Sequence, residues 1–275
     1  MKVGIIGTGN MGSLLIEALI KSKSVKPKQI NITNQTASKA EALKEKYPGL
    51  KLCGSPAETI QRSTIVFLCV RPLNFFSLLQ SVREEWRLEQ TAISITSPIT
   101  ITQLERLIPC HVARAVPSIV NQSLAGSVLV TFGTSLNDYQ KFRLWDLLSN
   151  FSQPLEVNEA CIRAASDIAS CGPAFLTFYL EKMIEAAAET TPLTRKEATS
   201  LVTEMVIGFG KLLEQQIYTL SELREKVTVK GGVTGIGLNV LKQDYQGGFE
   251  RLFAETQKKF TRDHQAIDPL FKEED

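Results

Sequence analysis

The residues best suited to chemistry form a glycine-rich segment close to the N-terminus. Three glycines with GxGxxG spacing lie in the run Gly7, Thr8, Gly9, Asn10, Met11 and Gly12. In such a turn the first glycine permits a tight bend, the second admits a pyrophosphate, and the third lets the next helix pack closely. Unpaired N–H groups at the start of that helix donate to phosphate oxygens. The segment therefore predicts a nicotinamide dinucleotide site; a purely structural strand-to-helix turn is the alternative.

The residues after the second expected strand bear on which form of the coenzyme binds. Folds that prefer NAD usually place a carboxylate there to hold the ribose 2′-OH. This chain instead has Asn34, Gln35 and Thr36, with Lys39 nearby. Neutral donors and a lysine accept a 2′-phosphate that a carboxylate would repel. NADP is therefore the expected cofactor, and NAD stays an alternative because no arginine is present to clamp the phosphate.

The elements expected around the turn alternate between strand and helix through the first half of the chain. Residues 3–6 form an apolar run broken only by Gly4, typical of a strand covered on both faces of a parallel sheet. A helix with one apolar stripe follows the turn, and another is expected over 38–46. Further strands are expected at 30–32, 50–53, 65–70, 92–96, 112–116 and 128–131. This alternation predicts an α/β fold, a doubly wound parallel-sheet Rossmann domain over 1–160.

The second half of the chain has helical periodicity throughout. Helices are expected over 174–188 and 248–260, and after the capping boxes that begin at Thr194 and Thr219. Another capping box, at Thr100, lies in the first half. We therefore expect an all-helical domain over 161–275, with a polar, loose tail after Thr261.

Composition and charge argue against several classes of protein. The 275 residues are 43% apolar and carry a net charge of +2 with no basic stripe, so nucleic acid is not an expected partner. Five scattered cysteines and two histidines predict no metal site and a reducing compartment. The longest apolar run, 64–70, is strand-sized, so neither a membrane span nor a signal peptide is expected. The expected location is cytoplasmic.

Five motifs, in order along the chain, resemble those of the pyrroline-5-carboxylate reductase family. The first is the opening VGIIGTGNMG, and the second, Val70-Arg71-Pro72, is similar to the family's Val-Lys-Pro. Arg114-Ala115-Val116-Pro117 matches the start of its Arg-Ala-Met-Pro-Asn-Thr-Pro. Cys171-Gly172-Pro173-Ala174-Phe175 resembles its Ser-Gly-Pro-Ala-Tyr. The segment 227–234, VTVKGGVT, lies where the family has Val-Thr-Ser-Pro-Gly-Gly-Thr-Thr.

The resemblance implies an NAD(P)H-dependent oxidoreductase that transfers hydride to a cyclic imine carboxylate, as in L-proline biosynthesis. It implies a small imine or amino-acid substrate and a homodimer through the helical domain, often assembled into a larger ring. The residues expected at the coenzyme are Gly7, Thr8, Gly9, Asn10, Met11, Gly12, Asn34, Gln35, Thr36, Val70, Arg71, Pro72 and Thr96. Those expected at the substrate are Cys171, Val229, Lys230, Gly231, Gly232, Val233 and Thr234. Backbone N–H groups and the Thr234 hydroxyl would hold the substrate carboxylate, which makes Thr234 the candidate catalytic side chain.

The departures from the family pattern fall close to the expected ligands. Val229 replaces a serine and Lys230 a proline, while 118–120 and 96–98 differ from Asn-Thr-Pro and Ala-Ala-Gly. Loss of one hydroxyl bonded to a charged group is worth about 1.5–3 kcal/mol, roughly 10- to 100-fold in activity. The pattern resembles the divergent late-competence (ComE operon) branch. A catalytically weak, coenzyme-binding regulatory paralogue is therefore the alternative function.

Several other interpretations of the sequence remain open. A β-hydroxyacid dehydrogenase shares the two-domain plan, but its Gly-x-x-x-Lys pattern does not fall at Lys182. Lys230 is a carboxylate ligand or a solvated loop lysine, and Cys171 a reactive thiol or a small packing residue. Glu181 and Glu185, one helical turn apart, are an acid–base pair or ordinary surface charges. Two glycines in a strong helix predict close helix contact at a dimer interface; they are Gly208 and Gly210.

Overall fold

A computed structural model describes residues 1–271 and divides the chain into two compact units. The first unit comprises Met1–Pro173 together with the chain from Phe253 onward, and the second comprises Ala174–Leu252. This division differs from the expected one at 160. The segment 161–173 and most of the last helix group with the sheet-containing unit.

The first unit is built on an eight-stranded sheet. Its strands are β1 Val3–Ile6, β2 Ile30–Thr33, β3 Lys51–Leu52, β4 Ile65–Leu68, β5 Thr91–Ser94, β6 His111–Val116, β7 Ser127–Phe132 and β8 Gln153–Glu156. Their spatial order is β3-β2-β1-β4-β5-β6-β7-β8. Because the chain winds outward in both directions from β1 and β4, a crevice is expected beyond the carboxyl ends of these two strands. The glycine turn follows β1, and Val70 follows β4.

The sheet departs from an all-parallel arrangement at one edge. β6 and β7 pair antiparallel, with Ala115 opposite Val130, while every other neighbouring pair is parallel. The connection between them, 117–126, contains only a short 3₁₀ turn. A parallel crossover needs a dozen or more residues, so a link of this length returns the chain in the opposite direction.

The helices of the first unit cover both faces of the sheet. They are α1 Asn10–Lys21, α2 Ala37–Lys46, α3 Pro56–Gln61, α4 Phe75–Ser81, α5 Ile101–Leu107, α6 Asp138–Ser149 and α7 Ile162–Ser166. Alternate residues of β4 enter different core clusters. Ile65 and Phe67 pack with α1 and α6, whereas Val66 and Leu68 pack with α4 and α5. This alternation confirms the doubly wound fold, because successive strand side chains point to opposite faces.

Five further helices complete the described chain. They are α8 Gly172–Thr190, α9 Arg195–Glu214, α10 Leu220–Val227, α11 Val233–Asp244 and α12 Gly248–Ile267. The capping boxes expected at Thr100, Thr194 and Thr219 are all present, at the starts of α5, α9 and α10. No helix within residues 1–271 combines the length and apolarity that crossing a bilayer requires.

The end of the chain is ordered further than the sequence indicated. α12 continues to Ile267, and both Ile267 and Phe271 are buried in the core of the first unit. Phe271 lies against the ring of Phe76, with 5.6 Å between centroids. The expectation of a loose tail was therefore wrong for 262–271, since buried Ile267 and Phe271 anchor a mainly polar segment. The last four residues of the tail lie outside the described part of the chain.

Candidate functional site

The bend after β1 requires glycine at its first and last positions. Gly7 has φ +99°, and a Cβ there would lie 2.4 Å from the Cys69 carbonyl oxygen. A Cβ on Gly12 would lie 2.0 Å from the Gly7 carbonyl oxygen. Both distances are far inside van der Waals contact. These two glycines are therefore needed by the fold itself, whether or not a ligand is bound.

Gly9 is different, because the protein alone does not require it. Its backbone is extended at φ −71° and ψ −168°, and nothing lies within 4 Å of a Cβ built on it. It is the N-cap of α1, with no side-chain cap and no acidic residue in the first turn. Thr8 beside it has a buried Oγ1 without a hydrogen-bond partner in the described chain. Free N–H groups, an orphaned hydroxyl and open space over a helix N-terminus fit a pyrophosphate.

Asn34 braces the glycine turn. Its Oδ1 accepts from the Thr8 N–H at 2.8 Å, and its Nδ2 donates to the Thr36 carbonyl at 2.9 Å. Both ends of the amide are therefore engaged within the protein. The groups left to face a ribose or its 2′-phosphate are Gln35, Thr36 and Lys39, all exposed at the start of α2, whose first turn has no acidic residue.

The remaining residues expected at the coenzyme lie in the loops after β4 and β5. Val70 and Pro72 are half-buried and Arg71 is exposed, directly after the Cys69 backbone that Gly7 contacts. Thr96 follows β5, and its N–H donates to Ser94 Oγ at 3.3 Å. Because β1, β4 and β5 are parallel, their carboxyl ends lie at the same end of the sheet, so both loops lie at the same end as the glycine turn.

Arg114 is a positioning residue whose role sequence reasoning missed. Its side chain is 1% exposed, and Nη1 donates to the carbonyls of Ser97 and Ile99 at 3.2 and 3.0 Å. Nη2 lies 3.1 Å from the Glu159 carboxylate, which also accepts from the Ile101 N–H. The guanidinium thus links the loop after β5 to Glu159. Burial lowers the pKa of Arg114. A charged residue inside a buried strand was the available signal.

Replacing Arg114 with lysine should weaken this loop. Lysine lacks the planar fork that reaches two carbonyls and a carboxylate together, so we expect the free energy of unfolding to fall by about 1–3 kcal/mol. Urea unfolding of Arg114→Lys measures the change. Arg106→Lys, at an exposed position on α5, is the control and should stay within about 0.5 kcal/mol of the parent. Equal stability of the two variants would contradict the conclusion that the Arg114 hydrogen bonds stabilise the loop after β5.

Cys171 lies in the first unit, at the end of a π-helical segment, Asp167–Cys171. It is half-buried, and its Sγ accepts from Arg163 Nη2 at 3.5 Å. The Ser170 hydroxyl next to it donates to the Pro117 carbonyl at 3.0 Å. Arg163 was not identified from the sequence, since its partners are set by the π-helical turn.

The expected carboxylate-binding residues form a tight turn in the second unit. The Gly232 N–H donates to the Val229 carbonyl at 3.0 Å, and Gly231 has φ +77°, which is the geometry of a type II turn with Lys230 at its second position. Gly232 caps α11 without a side-chain bond, and Thr234 lies in that helix's first turn. Gly231 and Gly232 also line a 360 Å³ cavity. The residues 229–234 that are expected at the substrate thus share one turn and the start of one helix, whereas Cys171 belongs to the first unit.

Two minor candidates have simple structural environments. Glu185 is bound by Lys182 at 2.7 Å, and this hydrogen bond and charge lower its pKa. A carboxylate held ionised in this way is a poor general acid, so an acid–base pair with Glu181 is not supported. Nothing lies within 4 Å of a Cβ on Gly208 or Gly210, and their contact with a second helix stays a prediction.

Comparison with known proteins identifies both halves of the chain. Residues 159–266 match the family described as pyrroline-5-carboxylate reductase dimerisation, and 2–98 match NADP oxidoreductase coenzyme F420-dependent. The ComE operon protein 4 of Bacillus subtilis is 43% identical over 98% of this chain and 99% of its own length. Pyrroline-5-carboxylate reductase 3 of the same organism is 27% identical, over 94% of this chain and 95% of its own.

Solved structures share the fold over the whole chain. A pyrroline-5-carboxylate reductase from Coxiella burnetii has a TM-score of 0.81 at 23% identity, covering 99% of each chain. The Plasmodium falciparum pyrroline carboxylate reductase, solved with NADP bound, has a TM-score of 0.78 at 20% identity and covers 99% of this chain and 98% of its own.

Proposed function

Because this chain belongs to the pyrroline-5-carboxylate reductase family, in the branch of the ComE operon protein 4, we propose that it is an NADP(H)-dependent oxidoreductase acting on a cyclic imine carboxylate. The observation that carries the proposal is the glycine turn. Open space at Gly9, an uncapped helix N-terminus and the orphaned Thr8 hydroxyl together fit a dinucleotide phosphate.

The chemistry demands little from the side chains of the protein. Bound NADPH would supply a hydride to the carbon of the protonated imine, and the ring nitrogen would then become an amine. The residues of this chain bind and orient: the turn 231–234 holds the carboxylate through N–H groups and the Thr234 hydroxyl. Cys171 contacts the substrate ring, and Thr96 lies at the nicotinamide end of the coenzyme site.

We favour NADPH over NADH because the end of β2 has no carboxylate. The exposed Gln35, Thr36 and Lys39 surround the N-terminus of α2, where partial positive charge attracts a 2′-phosphate. The same residues leave NADH able to bind, only less tightly.

Introducing an acid at this point should reverse the preference. In Gln35→Asp the new carboxylate repels the 2′-phosphate and accepts from a ribose 2′-OH, so the NADPH-over-NADH affinity ratio should fall about tenfold or more. Fluorescence titration with each coenzyme measures the ratio. Gln35→Asn, which changes the same side chain without adding charge, should stay within about twofold of the parent. A ratio unchanged in Gln35→Asp would show that the end of β2 does not face the ribose.

The activity is tested by mixing the purified protein with pyrroline-5-carboxylate and NADPH and following coenzyme oxidation. Turnover that saturates with substrate supports the reductase. A protein that binds NADPH but gives no oxidation above background at high substrate concentration contradicts it. Failure of NADPH to bind at all would overturn the coenzyme site as well.

A second candidate is a coenzyme-binding regulatory protein with little or no turnover. Val229 is the observation in its favour, because an isopropyl group stands where the family has a hydroxyl for the carboxylate. The name of the ComE operon protein 4, at 43% identity, is compatible with such a role. This candidate predicts NADPH binding without oxidation in the assay above.

The helical half of the chain supports homo-oligomerisation. Residues 159–266 match a dimerisation family, and large apolar side chains of the second unit are exposed in the single chain, among them Leu201 and Ile236. We propose a homodimer that can assemble into a larger ring. Five unpaired cysteines fit a reducing, cytoplasmic compartment.

A further inference from the structure

The turn that leads into α8 is a π-helical segment, Asp167–Cys171. This wider helical turn connects α7 to α8. A Cβ on Gly172 would lie 3.4 Å from the Asp167 carbonyl oxygen. π-Helical turns are rare and occur frequently at functional sites. Here the last residue of the turn is Cys171, which the proposed function places at the substrate.

A buried carboxylate holds this turn. Asp167 is 1% exposed, and each of its oxygens has a partner. Oδ1 accepts from Arg163 Nη2 at 2.7 Å, and Oδ2 accepts from the Thr256 hydroxyl at 2.6 Å. Arg163 precedes Asp167 by one helical turn, whereas Thr256 comes from α12. The carboxylate therefore ties the π-helical turn to two different helices.

The Arg163 guanidinium is directed by this carboxylate toward the sulfur. Nη2 donates to both Asp167 and Cys171 Sγ, and the guanidinium carbon lies 5.8 Å from the centroid of the Phe260 ring. A planar guanidinium fixed by a carboxylate and a ring keeps its N–H vectors fixed too. Because the sulfur accepts from Arg163, its single S–H is left to donate in another direction. The Ser170–Pro117 bond holds the neighbouring residue.

Stability alone is a poor explanation for this cluster. Burying an ion pair costs desolvation, and apolar residues of similar size often stabilise a core as well or better. Charged groups do provide fixed hydrogen-bond directions, which apolar packing does not. The arrangement is therefore suited to orienting a neighbour.

We infer that Arg163 and Asp167 are positioning residues that orient the Cys171 thiol toward the substrate. The inference rests on the proposed function, in which Cys171 contacts the imine ring. It assigns the pair no contact with the coenzyme. If the inference is right, replacing either residue of the pair should weaken imine binding only in a protein that has the Cys171 thiol.

A double-mutant cycle tests this coupling with pyrroline-5-carboxylate and NADPH. Asp167→Asn should raise the KM for the imine about tenfold while the NADPH dissociation constant stays within twofold. In a Cys171→Ala background the same replacement should change the KM by less than twofold, because there is no thiol to orient. Thr256→Val removes a hydrogen bond from the same carboxylate but leaves the Arg163–Cys171 contact, so it controls for loss of stability and should change the KM less than threefold. An equal loss from Asp167→Asn in both backgrounds, or from Thr256→Val, would overturn the inference.

A second measurement needs no turnover, so it separates failure of this inference from failure of the proposed function. Alkylation by iodoacetamide is followed at each cysteine by mass spectrometry. Arg163→Met removes the N–H that donates to Cys171 Sγ at 3.5 Å, so the sulfur is no longer held in one direction and the alkylation rate of Cys171 should change about threefold or more. The exposed Cys161 in the same sample is the internal control and should react at an unchanged rate. Unaltered reactivity of Cys171 would overturn the inference, even in a protein that reduces no imine.

Discussion

Gly9→Ala should fold normally and lose the coenzyme. The backbone at Gly9 is one that any residue adopts, and the new methyl group meets no protein atom within 4 Å. Alanine restricts the unfolded chain but is less favourable than glycine at an N-cap, so the two effects offset and the free energy of unfolding should stay within about 1 kcal/mol of the parent. The methyl group does occupy the space that a pyrophosphate needs against the helix N-terminus. We expect the NADPH dissociation constant to rise about 100-fold, equivalent to about 2.7 kcal/mol.

Two other glycines, Gly12 and Gly237, supply the contrast. Gly12→Ala places a methyl group 2.0 Å from the Gly7 carbonyl oxygen, so it should lower the free energy of unfolding by about 3 kcal/mol. Gly237→Ala, on α11, also meets no atom within 4 Å and should leave NADPH binding within twofold of the parent. Fluorescence titration and urea unfolding of all three variants distinguish a glycine that the coenzyme requires from a glycine that the fold requires. If Gly9→Ala bound NADPH as tightly as the parent, the coenzyme would have to lie elsewhere.

Much of the first unit follows from local patterns in the sequence. The run 3–6 and the capping box at Thr100 each involve residues a few positions apart, and both are present in the structure. The short edge strand β8 was missed. Gln153, Pro154 and Glu156 make it unlike a buried strand, and only pairing with β7 gives it that form. An edge strand tolerates proline because one side of its backbone has no strand partner.

The long-range contacts that hold the candidate site could not be read from local patterns. Glu159 reaches the Ile101 N–H across 58 positions, and Thr256 reaches Asp167 across 89. Such pairs exist only after the sheet and the last helix have formed, and periodicity carries no information about them. The sequence predicted Asn34 at the coenzyme, which stays a prediction, but it did not indicate the hydrogen bonds of Asn34 with both Thr8 and Thr36.

The turn before α11 has a regular backbone geometry but no hydroxyl at position 229. Gly231 has φ +77° and the Gly232 N–H closes the turn on the Val229 carbonyl, so the N–H groups left to face a carboxylate are those at the start of α11. Lys230 occupies the second position of a type II turn, where proline is favoured because its fixed φ matches. What the turn lacks is the hydroxyl at 229. We therefore predict that adding a hydroxyl at position 229 strengthens carboxylate binding without altering the turn.

Val229→Ser should raise kcat/KM for pyrroline-5-carboxylate about 10- to 100-fold. A hydroxyl bonded to a carboxylate contributes about 1.5–3 kcal/mol, and the exposed Val229 side chain can be replaced without opening a core cavity. Lys230→Pro fits the same turn and should stabilise it by about 0.4–1 kcal/mol. Val229→Ala is the matched control, since it removes the same methyl groups without adding a hydroxyl, and should gain less than threefold. NADPH oxidation at varied imine concentration measures all three variants. A gain in Val229→Ala equal to that in Val229→Ser would mean that relief of crowding, and not a hydrogen bond to the carboxylate, limits this site.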